Sequence, residues 1–576
     1  MCGVAGTLRR PGAAEILVHA LRHRGPDHVA VIEHGVVAVG AARLRVTGDA
    51  RGDMPLRSRS GRTLVVVNGE VFNHQELYPE ASPASDLIGL PDLIESEGPA
   101  VLARIRGPFA LIAIDVDAET MLVARDELGV RPLFVREEND GVLAGSEVRP
   151  LASVVPTPGR DETAWDFLLA FHFWPTDRTP VAGVRPVAPG TWRRYRMCDD
   201  GVEVETGAFA YRGGTDDLAM ELDRAFRIQA PSRLKTGLTL SGGLDSSAVA
   251  ALLAAHGCPP DVAATGFFPG ADARFDERPH ARAVAHELGI ELIEVPITPD
   301  HYLEAWPCVL AALGGPLAGP GAPSQWLLSR ALSAAGVGVV FSGQGGDELF
   351  GGYERHRRLL QRDLGLPPTP APGYESLLPD DVADPGAALL FRGESLLPWL
   401  EPGRRAGVLA ARGALPHPGR PLADRLLDFE VRTLLPGLLA VDDRTIAAFG
   451  MEGRVPLLDP VVARLARAVP LAEKSPTDAP RRLFRALVGD RLPRAAASRT
   501  DKMGFPVPLD AWLRGPWREL LHDHPALETL PDLGLKASVR DALRSGALSG
   551  RSAWFVLSVA FALADASAVS AAASTS

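Results

Sequence analysis

The sequence predicts a two-domain α/β protein: a β-rich N-terminal unit, then a doubly wound parallel-sheet unit that ends in a helical C-terminal part. Three observations predict it. The first 150 residues carry β-branched runs broken by Gly and Asp turns. From residue 236 onward, strand-like runs alternate with helix-like ones, the pattern of a parallel sheet covered on both faces. The chain has 576 residues, long enough for two or more domains.

In the first unit, VVAVGAARL (36–44), TLVVVNGEVF (63–72), FALIAID (109–115) and TMLVARD (120–126) read as strands, and 86–105 reads as a helical stretch. Residues 150–210 are less regular, and VAGVRPVAPGTWRRYR is read as a turn between short strands. The boundaries are placed at 2–210 and 211–560. In the second unit TGLTL (236–240) is a buried-type strand running into SGGLDSS and the helix AVAALLAAHG. DVAATGFF, a helix through ARAVAHELG, IELIEVPI and VGVVF (337–341) continue the alternation, and residues beyond about 380 read as helices joined by Pro- and Gly-rich loops. The low-complexity end, 561–576, is expected to be a disordered tail.

Composition narrows the function classes. The hydrophobic fraction is 46%, the charged fraction 23% and the formal net charge −11, and no basic stripe stands out. That argues against a nucleic-acid or anionic-membrane binder. Cys2, Cys198, Cys258 and Cys308 are scattered, with neither CxxC nor Cys/His clustering, so no disulfide framework or zinc site is expected and a reducing cytoplasm is. No signal-peptide pattern and no apolar run of membrane-spanning length is read.

Two motifs carry chemistry. The chain opens MCGVAG, so loss of Met1 would leave Cys2 with a free α-amine able to act as base for its own thiol, the logic of N-terminal nucleophiles. Alone, that is a weak signal. SGGLDSS (241–247) lies between a strand and a helix, where glycine backbone and a helix N-terminus suit phosphate oxygens. Ser241, Ser246 and Ser247 add hydroxyls, and Asp245 facing phosphate calls for a bridging cation, Mg²⁺. The GK[ST] ending of a Walker A loop is absent.

Downstream of Cys2 stand RHRGPD (22–27), ARLRV (42–46), VNGEVFN (67–73), ASD (84–86), RDELGVRPLF (125–134) and AGSEVRPL (144–151). With SGGLDSS, FSGQGGDELFGGY (341–353), VDDRTIAAFGMEGRVPLLD (441–459) and DKMGFPVPLDAWL (501–513), this ordered set resembles the glutamine-hydrolysing asparagine synthetase family over roughly residues 2–515. The resemblance implies an α-β-β-α sandwich of the N-terminal-nucleophile type, followed by an ATP-pyrophosphatase domain. It assigns Cys2 as nucleophile, Asn68 and the Gly69 N–H as oxyanion hole, and Arg43, Val46, Glu70 and Asp86 to glutamine. It places ATP at Leu240, Ser241, Gly242, Gly243, Asp245, Ser246, Ser247, Thr265, Ser342 and Gly343, with Mg²⁺ at Asp245 and Asp347. Lys502 would contact the reacting phosphate, and Arg454 would be structural or near the phosphates.

The implied reaction is a relay: glutamine yields ammonia, ATP activates a carboxylate as an acyl-adenylate, and ammonia displaces AMP. The resemblance favours aspartate as acceptor, implies no nucleic-acid or membrane partner, and is compatible with a homodimer. The chain departs from the family at Gln344, where an acid acting as base for the attacking amine is usual and where a glutamine is left to orient the nucleophile or bind substrate in the catalytic set, and in the uncharged stretch LGGPLAGPGAPSQW (313–326). Both departures bear on the acceptor, so the same chemistry on another carboxylate in a specialised-metabolite pathway, as an amidotransferase or a ring-closing amide ligase, stays open.

Overall fold

The computed structural model describes residues 1–576 except 80–84, 155–158, 199–200, 317–318, 368–392, 412–416, 418, 498, 500–506, 520–523 and 574–576; backbone alone is described for 393–395 and 565–573. The N-terminal unit is built on two antiparallel six-stranded sheets. The first runs, in spatial order, Val184–Pro186, Phe134–Glu138, Gly141–Gly145, Gly3–Leu8, Val37–Arg43 and His28–His34. The second runs Gly201–Ala208, Thr191–Cys198, Thr120–Arg125, Phe109–Asp115, Thr63–Gly69 and Leu56–Arg57.

The β-branched runs are fully buried because the sheets face each other and share one core, including Val4, Val39, Val65, Leu111 and Val123. Helices Ala13–Ala20 and Val148–Ser153 cover the first sheet, and Leu90–Glu97 packs on the second. The expected four-layer α-β-β-α sandwich is therefore present. Register matters most at one edge: Gly3 sits opposite Ala42, which carries Cys2 to the end of the strand that bears Arg43.

The second unit holds a five-stranded parallel sheet in the order Glu291–Pro296, Val262–Phe267, Thr236–Thr239, Val339–Phe341 and Glu452–Arg454. Alternate residues face opposite layers, as a period of two requires. Leu238, Ala263, Val339 and Phe341 pack beneath Leu244–Ala255 and Arg278–Leu288. Val262, Ala264 and Val340 pack against Leu328 and Leu332 of Gly321–Ala334. The sheet is thus doubly wound. Its two Gly-rich turns follow adjacent parallel strands, so both open at the same carboxyl edge, where open α/β sheets bind ligands.

Two features differ from the sequence reading. Helix Glu162–Phe171 precedes the last strands of the N-terminal unit, yet Trp165, Leu168, Leu169 and Phe171 pack in the helical C-terminal core with Trp306, Trp512, Trp517 and Trp554. The end expected as a disordered tail from residue 561 belongs to the helix Gly550–Ala573, and Leu563 is buried in the same core. Among the described residues no helix is long and apolar enough to cross a membrane, and none forms a group of three or more His, Cys, Asp or Glu placed to hold a metal.

Buried ion pairs join the units. Arg106 reaches Glu221 and Asp459, each at 2.8 Å, and Arg131 pairs with Glu452. Arg24 donates to Glu147 at 2.8 Å and to Asp443 at 2.7 Å. Removing one partner of such a pair would strand a charge in a dry interface, so these contacts hold the two sites in one orientation.

Candidate active sites

Cys2 immediately precedes the strand Gly3–Leu8, 8% exposed, with its thiol 3.9 Å from the Leu44 carbonyl. Burial pushes the thiol's pKa up, while the positive N-terminal amine and Arg43 act to lower it. A thiol raised in this way needs a base beside it to become a nucleophile. Met1 is fully buried against the second unit, packed with Val340, Ile446 and Met451, and its amine pairs with Glu452 at 2.7 Å.

Asn68 and Gly69 end the strand Thr63–Gly69. The Asn68 side chain is completely buried, and neither its Oδ1 nor its Nδ2 has a hydrogen-bond partner among the described residues. An orphaned buried amide is costly, and such groups mark positions kept for a ligand. Gly69 has φ 153°, and a Cβ there would sit 2.1 Å from the Pro108 carbonyl oxygen. Only glycine lets this strand end lie so close to its neighbour. Asn68→Ala, which removes an amide that pairs with nothing among the described residues, is therefore expected to cost little or no stability, measured as the thermal midpoint.

Arg43 is 3% exposed. Its guanidinium is oriented by Asp53 at 2.6 Å and by the carbonyls of Asp49 and Thr47. Asp86 accepts from the Thr47 hydroxyl and from the Val71 N–H at 2.8 Å. Val46 is buried beside Leu128 and Val130. Both carboxylate oxygens of Glu70 accept from Arg454, so its side chain joins the two units. Arg454 also donates to the Gln229 and Pro231 carbonyls, which makes it a structural bridge.

In the second unit one cavity of about 1180 Å³ is lined by Leu240, Ser241, Asp245, Ser246, Thr265, Ser342, Gly343, Gln344 and Asp347, nine of the positions singled out in the sequence. Gly242 and Gly243 form the turn behind it, and Gly242 has φ 68°. The Ser241 and Ser246 hydroxyls bond each other at 3.2 Å, and the Ser247 hydroxyl is buried with no partner among the described residues. A Cβ at Gly346 would lie 2.2 Å from an Asp245 carboxylate oxygen, and one at Gly352 would lie 1.7 Å from an Asp347 oxygen. The glycines of GQGGDELFGG make room for these two carboxylates. Lys502 lies outside the described residues.

The sequence reading missed Arg481. Its guanidinium bridges Asp245 and Asp347, at 2.5 Å to the latter. It sits in the left-handed region, φ 60°, at the start of Arg482–Val488. Nothing in TDAPRRLFRAL marks this arginine over its neighbours. The two carboxylates come from the first turns of different helices, Leu244–Ala255 and Gly346–Phe350, and only the fold brings them to one cation. Hard oxygen donors that already attract a cation suit Mg²⁺ bound together with phosphate.

A glutamine amidotransferase domain model matches residues 1–206, and the asparagine synthase model matches residues 217–564. The asparagine synthetase 1 (glutamine-hydrolyzing) of Bacillus subtilis (strain 168) is 26% identical over 571 residues, covering 90% of this chain and 89% of that protein. A Mycobacterium tuberculosis (strain ATCC 25618 / H37Rv) protein provisionally named as a glutamine-hydrolyzing asparagine synthetase is 28% identical over 556 residues, with 86% and 84% covered. Asparagine synthetase B of Escherichia coli (strain K12) is 27% identical over 387 residues, with 61% and 65% covered.

Proposed function

The chain belongs to the asparagine synthase family, and from that membership we propose that it is a glutamine-dependent amide synthetase with two coupled sites. The observation that carries the first site is the fully buried, orphaned Asn68 amide at the end of the strand Thr63–Gly69. After loss of Met1, the Cys2 amine takes the thiol proton and the thiolate attacks the side-chain carbonyl of glutamine. Asn68 and the Gly69 N–H hold the oxyanion, the C–N bond breaks, ammonia leaves, and water then releases glutamate from the thioester. Arg43 receives the glutamine carboxylate and Asp86 its ammonium. Arg is suited to that role because its planar fork matches a carboxylate.

In the second site ATP lies across the two Gly-rich turns. An acceptor carboxylate attacks the α-phosphorus and pyrophosphate leaves. Ammonia then attacks the acyl-adenylate, giving the amide and AMP. Asp245 and Asp347 would hold Mg²⁺, which neutralises phosphate charge that would otherwise face two carboxylates. Arg481, now between them, is placed to follow the phosphates.

Family membership favours aspartate as acceptor. One observation favours a second reading. Phe173, Leu434, Leu438 and Val441 give the cavity an apolar wall that a small, highly polar amino acid does not use, so an acid with a larger apolar body fits it better. The test is pyrophosphate release with ATP, Mg²⁺ and ammonium, with and without aspartate. Stimulation by aspartate with asparagine as product supports the first reading. Release that aspartate does not stimulate moves the acceptor to the second.

A further inference from the structure

Helix Leu422–Ala447 presents Leu434, Gly437, Leu438, Val441 and Asp442 to the cavity, a spacing of 3, 1, 3 and 1 that puts all five on one face. Four are apolar or bare. Asp442 is the exception, and it is 4% exposed. One of its carboxylate oxygens accepts from the Ser342 hydroxyl at 2.9 Å, the other from the Gln325 amide. Ser342 stands two residues from Gln344, on the same turn.

The other buried or half-buried carboxylates that line the cavity are matched to arginine. Asp245 and Asp347 hold Arg481, Glu277 holds Arg499, and Glu354 holds Arg357 and Arg358. Among the described residues Asp442 has no cation at ion-pair distance. The next residue, Asp443, points the other way. It pairs with Arg24, whose Nε donates to the Cys2 carbonyl at 3.2 Å. The helix turn 442–443 is thus the wall between the cysteine and the cavity, with one carboxylate on each side.

We propose that Asp442 is the proton acceptor for the amine that attacks the activated carbonyl, in place of the acid that Gln344 replaces. The inference rests on the amide-synthetase reading above. The nitrogen lone pair bonds the acyl carbon, one N–H proton passes to the Asp442 carboxylate, and the C–O bond to AMP breaks. Asp442 then returns the proton to solvent. The groups that face it suit this task. Burial raises its pKa to about 6, the Ser342 and Gln325 donors act to lower it, neighbouring Asp443 raises it, and Arg131 lowers it from across the interface. A base with that pKa is ionised at neutral pH and still takes a proton readily. The sign also predicts stability. A carboxyl whose folded pKa lies above its unfolded value of about 3.9 destabilises the fold as pH rises through that window, so Asp442→Asn is expected to fold and to melt no lower than wild type at pH 8.

The test uses the full-length enzyme with ammonium chloride as amine source and aspartate as acceptor probe. Amide formation by Asp442→Asn is expected to fall about 10²–10³-fold more than aspartate-dependent ATP–pyrophosphate exchange, which reports activation alone. The acid limb near pH 6 in the kcat profile should vanish, and adding Gln344→Glu should restore at least about tenfold. Amide formation at the wild-type rate with the acid limb intact overturns the proposal. So does a parallel fall in exchange that Gln344→Glu does not restore, because a merely structural role would give it. Wild-type enzyme with no aspartate-dependent exchange defeats only the choice of aspartate. The decision then passes to pH-difference infrared spectra of protein labelled with [4-¹³C]aspartate. A carboxyl band titrating near pH 6 that Asp442→Asn removes supports the proposal, and the lack of such a band overturns it.

Discussion

Cys2→Ala abolishes glutamine-dependent amide formation, a loss of about 10⁴-fold or more, while ammonium-dependent formation continues. The size follows from chemistry: alanine offers no atom to bond the glutamine carbonyl, and Asn68 and Gly69 cannot hydrolyse the amide by holding an oxyanion alone. The sparing of ammonium use follows from position. The cavity that holds Ser241, Asp245 and Asp347 is built on the parallel sheet of the second unit and takes no residue from the strands around Cys2. Steady-state rates with glutamine and with ammonium, on one preparation, make the comparison. Loss of both activities would contradict two separable sites. A form that retains Met1 should behave like the alanine variant with glutamine, because the Cys2 nitrogen is then a peptide nitrogen and no base.

The second large effect is Asp347→Asn. Pyrophosphate release should fall by about 10³-fold, and glutamine hydrolysis by the same preparation should stay within about twofold of wild type. Asp347 and Asp245 converge on one guanidinium from the first turns of two helices, so the pair is a single cation-binding feature. Asparagine keeps the shape and one acceptor oxygen but removes the charge that a phosphate-bound cation needs. Glutaminase activity serves as the control for folding, because the interface pairs of Arg24, Arg106 and Arg131 do not involve Asp347.

Much of the architecture was legible because burial is periodic. The strand Thr63–Gly69 is buried at six of seven positions, and such a run reads as a core strand directly. SGGLDSS and FSGQGGDELFGGY were legible as turns because glycine punctuates a strand, and the close approach of Asp245 and Asp347 to Gly346 and Gly352 explains the spelling. What the sequence hid are the partnerships. Glu70 adjoins Asn68 and Gly69 in sequence, yet it lies past the end of their strand and its carboxylate goes to Arg454 of the other unit. Arg481 was invisible because its two partners lie 134 and 236 residues away. Asp442 and Asp443 are adjacent and look alike, and only the helix geometry sends one to the cavity and the other to Arg24. The helix Glu162–Phe171 misled because chain order placed it with the first unit, while its aromatic face matched the tryptophan-rich core of the second.

The most direct measurement follows the amide nitrogen of [¹⁵N-amide]glutamine into product with ATP, Mg²⁺ and the acceptor acid that supports pyrophosphate release. Two sites working as one synthetase predict ¹⁵N in the product amide in step with AMP formation, and none when Cys2 is alanine. Glutamate released at full rate with no ¹⁵N entering any ATP-dependent amide would contradict that coupling, and would leave the chain a glutaminase joined to an unrelated adenylating site.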